Sequence, residues 1–257
     1  MTPTPPILEA MLRKLETRAP LDAGDRAALL GLPYRLQILE PAAYMLREGE
    51  RPTHCALVVS GFVFRHKLTV EGARQIVSVH IPGDFVDLSA ALLNVADHNV
   101  QTLTRSEIAL VPRGAIQALI LSHPRVGAAL WVDTLIDGSI FREWVVNVGR
   151  RDARSRLAHL LCEFARRLEA AGLAEEMQYE LPMTQEQLAD ATGLTPVHVN
   201  RVLRGLEREG LITRARRFIG IPDWEESRRI AGFSEIYLHF DQLAPTDARE
   251  ERVLRAG

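Results

Sequence analysis

The sequence predicts an α+β protein in which an N-terminal β jelly-roll is followed by a long helix and a C-terminal winged helix-turn-helix. Three observations predict this order. Short β-rich runs separated by glycine and proline fill residues 34–112, helical periodicity dominates residues 113–168, and two capped helical segments precede a hairpin pattern near the end. We therefore divide the chain into residues 1–123, 124–150 and 151–257.

Composition places the chain among ordinary globular proteins. It has 257 residues, of which 47% are hydrophobic and 25% are charged, and a formal net charge of -2. No apolar run approaches the roughly 18 residues of a membrane span, and the N-terminus lacks the pattern of a secretion signal. Cys55 and Cys162 are far apart and provide no iron–sulfur ligand set. We expect a cytoplasmic protein with no membrane partner and no bound cofactor.

In the first region the sequence predicts short helices in residues 7–32 and then a barrel. Runs such as CALVVSGFVFRHKL, RQIVSVHI and EIALVPR are rich in β-branched and other apolar residues. They are separated by turn residues at Gly49, Gly61, Gly72 and Pro82-Gly83. Many short strands at this spacing predict a sandwich or jelly-roll barrel.

In the second region the sequence predicts a long helix from about Pro124 to Val148, bounded by breaks near Ser122–Pro124 and Gly149. Its apolar stripe is wider than one barrel face can cover. We expect the excess to form a helix–helix seam between two copies of the chain, with packing entirely within one chain as the alternative. The candidate dimer residues are Trp131, Leu135, Ile136, Phe141, Trp144 and Val145.

Residues 183–212 predict two helices joined by a tight turn. Thr184 and Gln187 fit a capping box at the start of the first helix. Gly193 marks the turn, Thr195 is an N-cap and Pro196 suits the first position of the second helix. This pattern predicts a helix-turn-helix, with an ordinary surface hairpin of helices as the alternative.

The second of these helices carries an apolar stripe and a separate polar one. Two short strands, Leu211–Thr213 and Phe218–Ile221, then predict a wing around a basic turn. Between Thr195 and Arg217 six arginines oppose two glutamates, a local charge of +4 that favours contact with phosphates. The polar stripe comprises Val197, Asn200, Arg201, Arg204 and Arg208.

These segments together resemble the Crp/Fnr family of bacterial transcription regulators. The resemblance is carried by VVSGFV and IPGDFVDL in the barrel and by TQEQLADATGLTPVHVNRVLRGLEREGLI in the helical region, and it covers residues 20–221. It implies a cyclic-nucleotide-binding-like effector domain, a dimerisation helix and a winged helix-turn-helix. It also implies double-stranded DNA, a second copy of the chain and RNA polymerase as partners.

The resemblance aligns Arg201 with a base-reading arginine. Arginine binds guanine and asparagine binds adenine through paired hydrogen bonds, so Arg201 and Asn200 are the predicted base readers. Val197 is expected at a thymine methyl, where many family members carry glutamate, so the family's usual half-site sequence is not transferred. His198 is expected at a phosphate or base edge, with a plain surface role as the alternative. The supporting or phosphate-contacting candidates are Thr184, Gln185, Thr195, His198, Arg204 and Arg217.

The effector loop departs from the family's nucleotide binders, which carry a Gly-Glu-Leu segment and then Arg-Ser or Arg-Thr. Leu88 occupies the position of the glutamate, and His98-Asn99 that of the arginine and its neighbour. A cyclic nucleotide phosphate would meet no fixed cation, so we predict that neither cyclic AMP nor cyclic GMP binds. The effector is left open, with haem held by His80 or His98 as one alternative. The candidate pocket residues are Gly83, Asp84, Asp87, Leu88, Ser89 and His98.

Two rival classes are considered. An enzyme is not predicted, because the sequence has no metal triad, no nucleophile–base signature and no phosphate-cradling glycine loop. The other rival is a barrel that senses a small molecule or haem and whose helical domain mainly binds proteins. DNA binding is expected to weaken steeply with salt, whereas an apolar protein contact is not. After the wing, an apolar set is expected to pack back on the DNA-binding domain: Trp224, Ile230, Phe233, Tyr237, Leu238 and Phe240.

Overall fold

The computed structural model describes residues 7–243. Two short helices, α1 (Glu9–Glu16) and α2 (Ala23–Leu30), open this part of the chain, as predicted. The side chain of Asp22 accepts a hydrogen bond from the backbone N–H of Asp25, and the side chain of Asp25 accepts one from the backbone N–H of Asp22, so α2 starts with a capping box. No helix in residues 7–243 is both long enough and apolar enough to span a membrane.

Seven strands form the barrel, and they are arranged in two antiparallel sheets with the orders β1-β7-β3 and β2-β6-β4-β5. Buried side chains from both sheets meet inside it, among them Val58, Val100 and Ile108. The strands are β1 (Arg35–Leu39), β2 (Tyr44–Leu46), β3 (His54–Ser60), β4 (Val63–Leu68), β5 (Arg74–His80), β6 (Asn99–Thr102) and β7 (Ser106–Pro112).

Three helices follow, and the breaks between them lie where the sequence predicts them. Helix α3 (Arg113–Ser122) ends before Pro124, which starts α4 (Pro124–Arg150) at a position where its missing N–H costs nothing. Asp152 then caps α5 (Ala153–Ala170) by accepting hydrogen bonds from the backbone of Arg154 and Ser155. The long helix therefore exists, and it runs two residues beyond the predicted end.

Two of the six predicted dimer residues on α4 are buried inside the chain. Ile136 and Trp144 are each 5% exposed and belong to the core shared with α5. The indole N–H of Trp144 donates to both carboxylate oxygens of Glu163 on α5, at 3.1 and 3.0 Å. Their inclusion in an intermolecular seam was wrong, because the side of α4 on which they lie packs against the barrel and α5.

The C-terminal region holds a helix pair and a small sheet. Helix α6 (Gln185–Thr192) and helix α7 (Pro196–Arg208) are followed by a hairpin of β9 (Thr213–Ala215) and β10 (Phe218–Gly220). The first wing strand thus starts at Thr213 rather than Leu211, since Leu211 and Ile212 turn inward to the core. A strand that the sequence did not reveal, β8 (Gln178–Glu180), completes the sheet in the order β8-β10-β9.

The segment after the wing packs back on the molecule, as predicted. Helix α8 (Trp224–Ala231) contacts α5, and a 3-10 helix over Glu235–Leu238 contacts α4 and α5. The hydroxyl of Tyr237 donates to Glu163 at 2.8 Å, which ties this segment to the buried carboxylate beneath Trp144. The predicted charged stretch from Ala244 onward lies outside the described residues.

Candidate nucleic-acid interface and barrel cavity

Helix α6 begins with the capping box that the sequence predicts. The Thr184 hydroxyl accepts from the backbone N–H of Gln187 at 3.2 Å, and the Gln187 side chain accepts from the backbone N–H of Thr184 at 2.8 Å. Leu188 and Ala189 are buried on the inner face. The Thr184 hydroxyl therefore caps a helix, while Gln185 beside it is exposed toward the surface of α7.

The turn between the helices has the conformation that Gly193 allows. Its φ of +65° lies in the left-handed region, which residues with a β-carbon rarely adopt. The hydroxyl of Thr195 then accepts from the backbone N–H of His198 at 3.3 Å and starts α7, with Pro196 in the first turn. Thr195 thus acts as an N-cap, and His198 is half-buried beside it.

Helix α7 divides into a buried and an exposed face. Val199, Leu203 and Leu206 are almost completely buried in the core of the domain. On the opposite side Val197 is 82% exposed. The remaining members of the exposed face are Asn200, which is half-buried, and the exposed arginines Arg201, Arg204 and Arg208.

This exposed face lines a broad concavity of about 710 Å³. Across residues 7–243, the side chains of Asn200 and Arg201 make no hydrogen bond or ion pair, so their donors and acceptors point to solvent. The concavity also includes Glu207, which the sequence reading left out although it lies three residues after Arg204 on the same helical face. The lining residues are Gln185, Pro196, Val197, Asn200, Arg201, Arg204, Glu207 and Arg208.

The wing places further arginines beside the helix pair. Ala215 pairs with Phe218 at the end of the hairpin, and Arg216 at its tip has a φ of +57°. Arg217 forms an exposed ion pair with Glu180 of β8, with 3.5 Å between Nη1 and Oε1. An exposed pair of this kind contributes little, so Arg217 can leave Glu180 for a phosphate at small cost.

Arg156 on α5 links the helix-turn-helix to the end of the long helix. Its Nη1 donates to the backbone carbonyl of Thr192 at 2.7 Å, and its Nη2 donates to that of Arg151 at 2.9 Å. Thr192 ends α6 and Arg151 follows α4, so one guanidinium satisfies carbonyls at the ends of two helices. Arg156 therefore ties the end of α6 to the end of α4, a link that was not predicted from the sequence.

Four of the predicted dimer residues are exposed on α4. Trp131, Leu135, Phe141 and Val145 are all about half exposed, and the described part of the chain covers none of them fully. Trp131, Leu135 and Val145 fall on one alternation in steps of four and three residues, which is the spacing of a two-helix seam. The positions between Leu135 and Val145 on this alternation are Gly138 and Arg142, and Phe141 lies beside it. The excess apolar surface predicted from the sequence is present, on a narrower face than expected.

The predicted effector residues do not form one pocket. Gly83 lies against the backbone of Ala10, where a β-carbon would approach the Ala10 carbonyl oxygen to 3.1 Å. The Nδ1 of His98 pairs with Asp97 at 2.7 Å, outside the lining of the barrel cavity. Leu88 and Ser89 begin a 3-10 helix, Leu88–Ala91, and are half-buried. Of the six candidates, Asp87 lines the cavity in the barrel.

Asp84 is an ion-pair hub between three parts of the chain. Its carboxylate contacts Lys14 of α1 at 2.8 Å and Arg167 of α5 at 3.2 Å, and accepts from the backbone N–H of Ile81 at 3.0 Å. Burial alone would raise the pKa of Asp84, but Lys14, His80 and Arg167 lower this pKa well below its usual value. Asp84 thus joins the barrel to the helices on either side, and both of its carboxylate oxygens already accept from these partners.

The barrel cavity has a volume of about 210 Å³. Its floor is made by Val86, Asp87 and Val100, and an exposed cation, Arg51, lies at the rim, which the sequence reading did not anticipate. His80, a candidate haem ligand, contacts Ser78 and Asp84 instead. No group of three or more histidine, cysteine or carboxylate side chains suited to a metal ion occurs within residues 7–243.

Comparisons with known proteins agree with this architecture. Residues 36–123 match the description "Cyclic nucleotide-binding domain", and residues 155–228 match "Crp-like helix-turn-helix domain". The chain is 31% identical over 188 residues to the transcriptional activator protein FnrL of Cereibacter sphaeroides, covering 72% of this chain and 75% of that protein. It is also 31% identical over 167 residues to the nitrogen fixation regulation protein FixK of Bradyrhizobium diazoefficiens, covering 65% and 69%.

A solved structure shows the same fold. The structure of FixK2 from Bradyrhizobium japonicum superimposes with a TM-score of 0.72 at 24% sequence identity. It covers 79% of this chain and 100% of the FixK2 chain.

Proposed function

The chain belongs to the Crp/Fnr family of transcription regulators, and from this premise we propose that it binds a palindromic DNA site as a homodimer through α7. The family consists of regulators and not of enzymes. The observation that supports this proposal best is the exposed edge of α7, where Asn200 and Arg201 have no partner within residues 7–243. A helix of this kind fits the major groove, whose base edges offer the matching donors and acceptors.

The proposed roles of the residues on this surface follow from the chemistry of their side chains. Arg201 reads guanine, Asn200 reads adenine and Val197 contacts a thymine methyl. Arg204 and Arg217 contact phosphates, which adds affinity without sequence information. Gln185 on α6 and His198 on α7 have supporting or phosphate-contacting roles, while Thr184 and Thr195 hold the two helix N-termini in place.

The homodimer rests on the exposed seam of α4. A two-fold axis along this helix sets two copies of α7 at half-sites about 34 Å apart, one helical turn of DNA. Replacing Leu135 by glutamate puts a charge into the seam and is expected to yield monomers in analytical ultracentrifugation. Val70→Glu, at a fully exposed position on the β4–β5 hairpin, is the matched control and stays dimeric. A Leu135→Glu protein that remains dimeric would reject α4 as the seam.

The test of base reading is selection of random duplex DNA by the purified protein and by Arg201→Ala. The expected result is a palindromic site that becomes degenerate at one position per half-site in the variant. A palindrome whose sequence is unchanged by the substitution would remove Arg201 from the readout. Steep weakening of binding with salt is expected as well, and its absence would favour the protein-binding alternative for the helical domain.

The barrel is proposed to reject cyclic AMP. A nucleotide phosphate in the cavity would lie near the Asp87 carboxylate, and the cation at the rim, Arg51, is exposed rather than fixed. Calorimetry with cyclic AMP and cyclic GMP is expected to give no binding at millimolar nucleotide. Micromolar binding of either would overturn this part of the proposal. Contact with RNA polymerase stays a prediction of family membership.

A further inference from the structure

We propose that the barrel cavity binds a small organic cation, a protonated amine with a short apolar body, through the carboxylate of Asp87. The ligand class deepens the proposed function, and only its effect on DNA binding rests on that function. The inference is carried by one contrast: two buried carboxylates lie three residues apart in the same segment, and one of them has no cation. Asp84 is paired with Lys14 and Arg167, whereas Asp87 is not paired.

Asp87 is 5% exposed and lies on the floor of the cavity. Within residues 7–243 its side chain accepts one hydrogen bond, from the Ser89 hydroxyl to Oδ1 at 2.5 Å, and makes no ion pair. Its other oxygen, Oδ2, has no donor in this part of the chain. A buried carboxylate normally has a cation or several hydrogen-bond donors, because removing its hydration is costly. A cationic ligand supplies the missing partner.

The rest of the cavity suits the body of such a ligand. A second carboxylate, Glu50, lies at the rim, and its Oε2 accepts from the backbone N–H of Arg47 at 3.0 Å. Seven of the twelve lining residues are apolar and can contact the carbon atoms of such a ligand, and Arg51, Thr53 and His54 complete the lining. The apolar lining residues are Met45, Leu46, Pro52, Ala56, Val86, Val100 and Leu110.

Size and donor set exclude two other occupants. The volume of about 210 Å³ corresponds to about seven water molecules at their share of liquid volume, so a ligand of about seven non-hydrogen atoms fits. A calcium ion takes six to eight oxygen ligands, and the cavity lining offers two carboxylates, Glu50 and Asp87. The two carboxylates of the lining, Glu50 and Asp87, outnumber its one arginine, Arg51, so the cavity disfavours an anionic ligand.

The cavity floor is connected to the helices that position the DNA-binding domain. The carbonyl of Val86, next to Asp87, accepts from Nε of Arg65 at 2.7 Å. Nη1 of the same arginine donates to Asp137 on α4 at 2.5 Å. An amine that shifts the Val86–Asp87 backbone therefore acts on α4 through Arg65, and this coupling predicts that the ligand changes DNA affinity.

Calorimetry on the intact protein tests the ligand class. The probes are n-hexylamine, which is of the expected size, with 1-hexanol and hexanoate as neutral and anionic matches. We expect one hexylamine per protomer and binding at least tenfold weaker for the other two. Equal affinity for hexylamine and hexanol, or no binding across straight-chain primary amines from propyl to octyl, would overturn the proposal.

Two substitutions locate the site. Asp87→Asn keeps the shape of the side chain and removes its charge, and it is expected to weaken hexylamine binding at least tenfold. Asp97→Asn is the matched control, because its side chain is 89% exposed on the same barrel, and it leaves binding unchanged. Circular dichroism melts establish that both variants are folded. Unchanged hexylamine affinity in folded Asp87→Asn would overturn the assignment.

DNA binding is measured separately, so the two proposals fail independently. If the protein binds hexylamine but no DNA sequence, the amine site stands and the regulator proposal fails. If hexylamine shifts the DNA affinity of the native protein but not that of Asp87→Asn, coupling through the cavity floor is supported. Hexylamine binding without any shift in DNA affinity would overturn the coupling and leave the site.

Discussion

Helix α7 and the barrel segment Gly83–Ser89 both carry polar residues with the chemistry of a binding site, and the fold treats them in opposite ways. On α7, Arg201 is exposed and makes no contact with another polar group in the described part of the chain. In the barrel segment, Asp84 is buried and fully paired. The first is available to a partner, while the second is part of the internal structure.

The difference shows which features of a site local sequence patterns can predict. The capping, turn and periodicity that orient Arg201 involve residues within a few positions of one another. The partner of Asp84 on α5 is 83 positions away along the chain. Local sequence patterns predict the first kind of relationship but not the second.

The largest effect on folding is expected from Asp84. Asp84→Ala leaves the ammonium of Lys14 and the guanidinium of Arg167 without their shared partner, so we expect the free energy of unfolding to fall by about 3–5 kcal/mol. Urea denaturation measures it. Asp97→Ala, which breaks an exposed pair with His98, is the control and should cost less than about 1 kcal/mol. Similar losses of unfolding free energy in both variants would mean that the buried pairing of Asp84 stabilises the fold no more than the exposed pair of Asp97.

Arg201→Ala should show the reverse behaviour. We expect DNA affinity to fall by about 1–3 kcal/mol per half-site, while the free energy of unfolding changes by less than about 0.5 kcal/mol. Fluorescence anisotropy on the selected site and urea denaturation provide the two numbers. Arg13→Ala removes the same charge from an exposed position on α1 and should leave both unchanged. A large loss of stability in Arg201→Ala would mean that this side chain has an internal role.

Lowering the pH should remove the stability that the paired carboxylate of Asp84 contributes. The pKa of Asp84 in the folded protein lies well below its usual value of 3.8, so its contribution to stability is present above that pH. As the pH falls below about 3.8, the unfolded state takes up the proton first, and up to about 1.4 kcal/mol is lost per pH unit. The difference in unfolding free energy between the native protein and Asp84→Asn should therefore shrink between pH 4 and pH 2. A constant difference would contradict the lowered pKa.

The smallest effect is expected from a phosphate contact. Arg204→Gln removes one cation per subunit, so the slope of log affinity against log salt should decrease by about 0.9 per subunit. The selected sequence should stay the same, in contrast to Arg201→Ala. Relaxed preference at a base position in Arg204→Gln would move this arginine from the backbone-contacting group to the base readers.

Much of the fold followed from local patterns. The capping box of α6, the proline that starts α4, the breaks around that helix and the exposed edge of α7 were all predicted from neighbouring residues. The positions that were missed depend on distant contacts. Strand β8 is too short to be recognised in the sequence, and it forms because it pairs with β10. Arg156 donates to carbonyls at the ends of two helices, and these contacts exist only in the folded chain.

By itself the sequence determined the order of elements, the start and the exposed face of α7 and the family, because helix periodicity, caps and turn glycines act over a few residues. The tertiary structure decided which polar and apolar groups remain available. It buried Ile136 and Trp144, paired Asp84 and left Asp87 without a cation in a cavity. The physical reason is that burial and ion pairing depend on which distant segments meet, and only the folded chain brings them together.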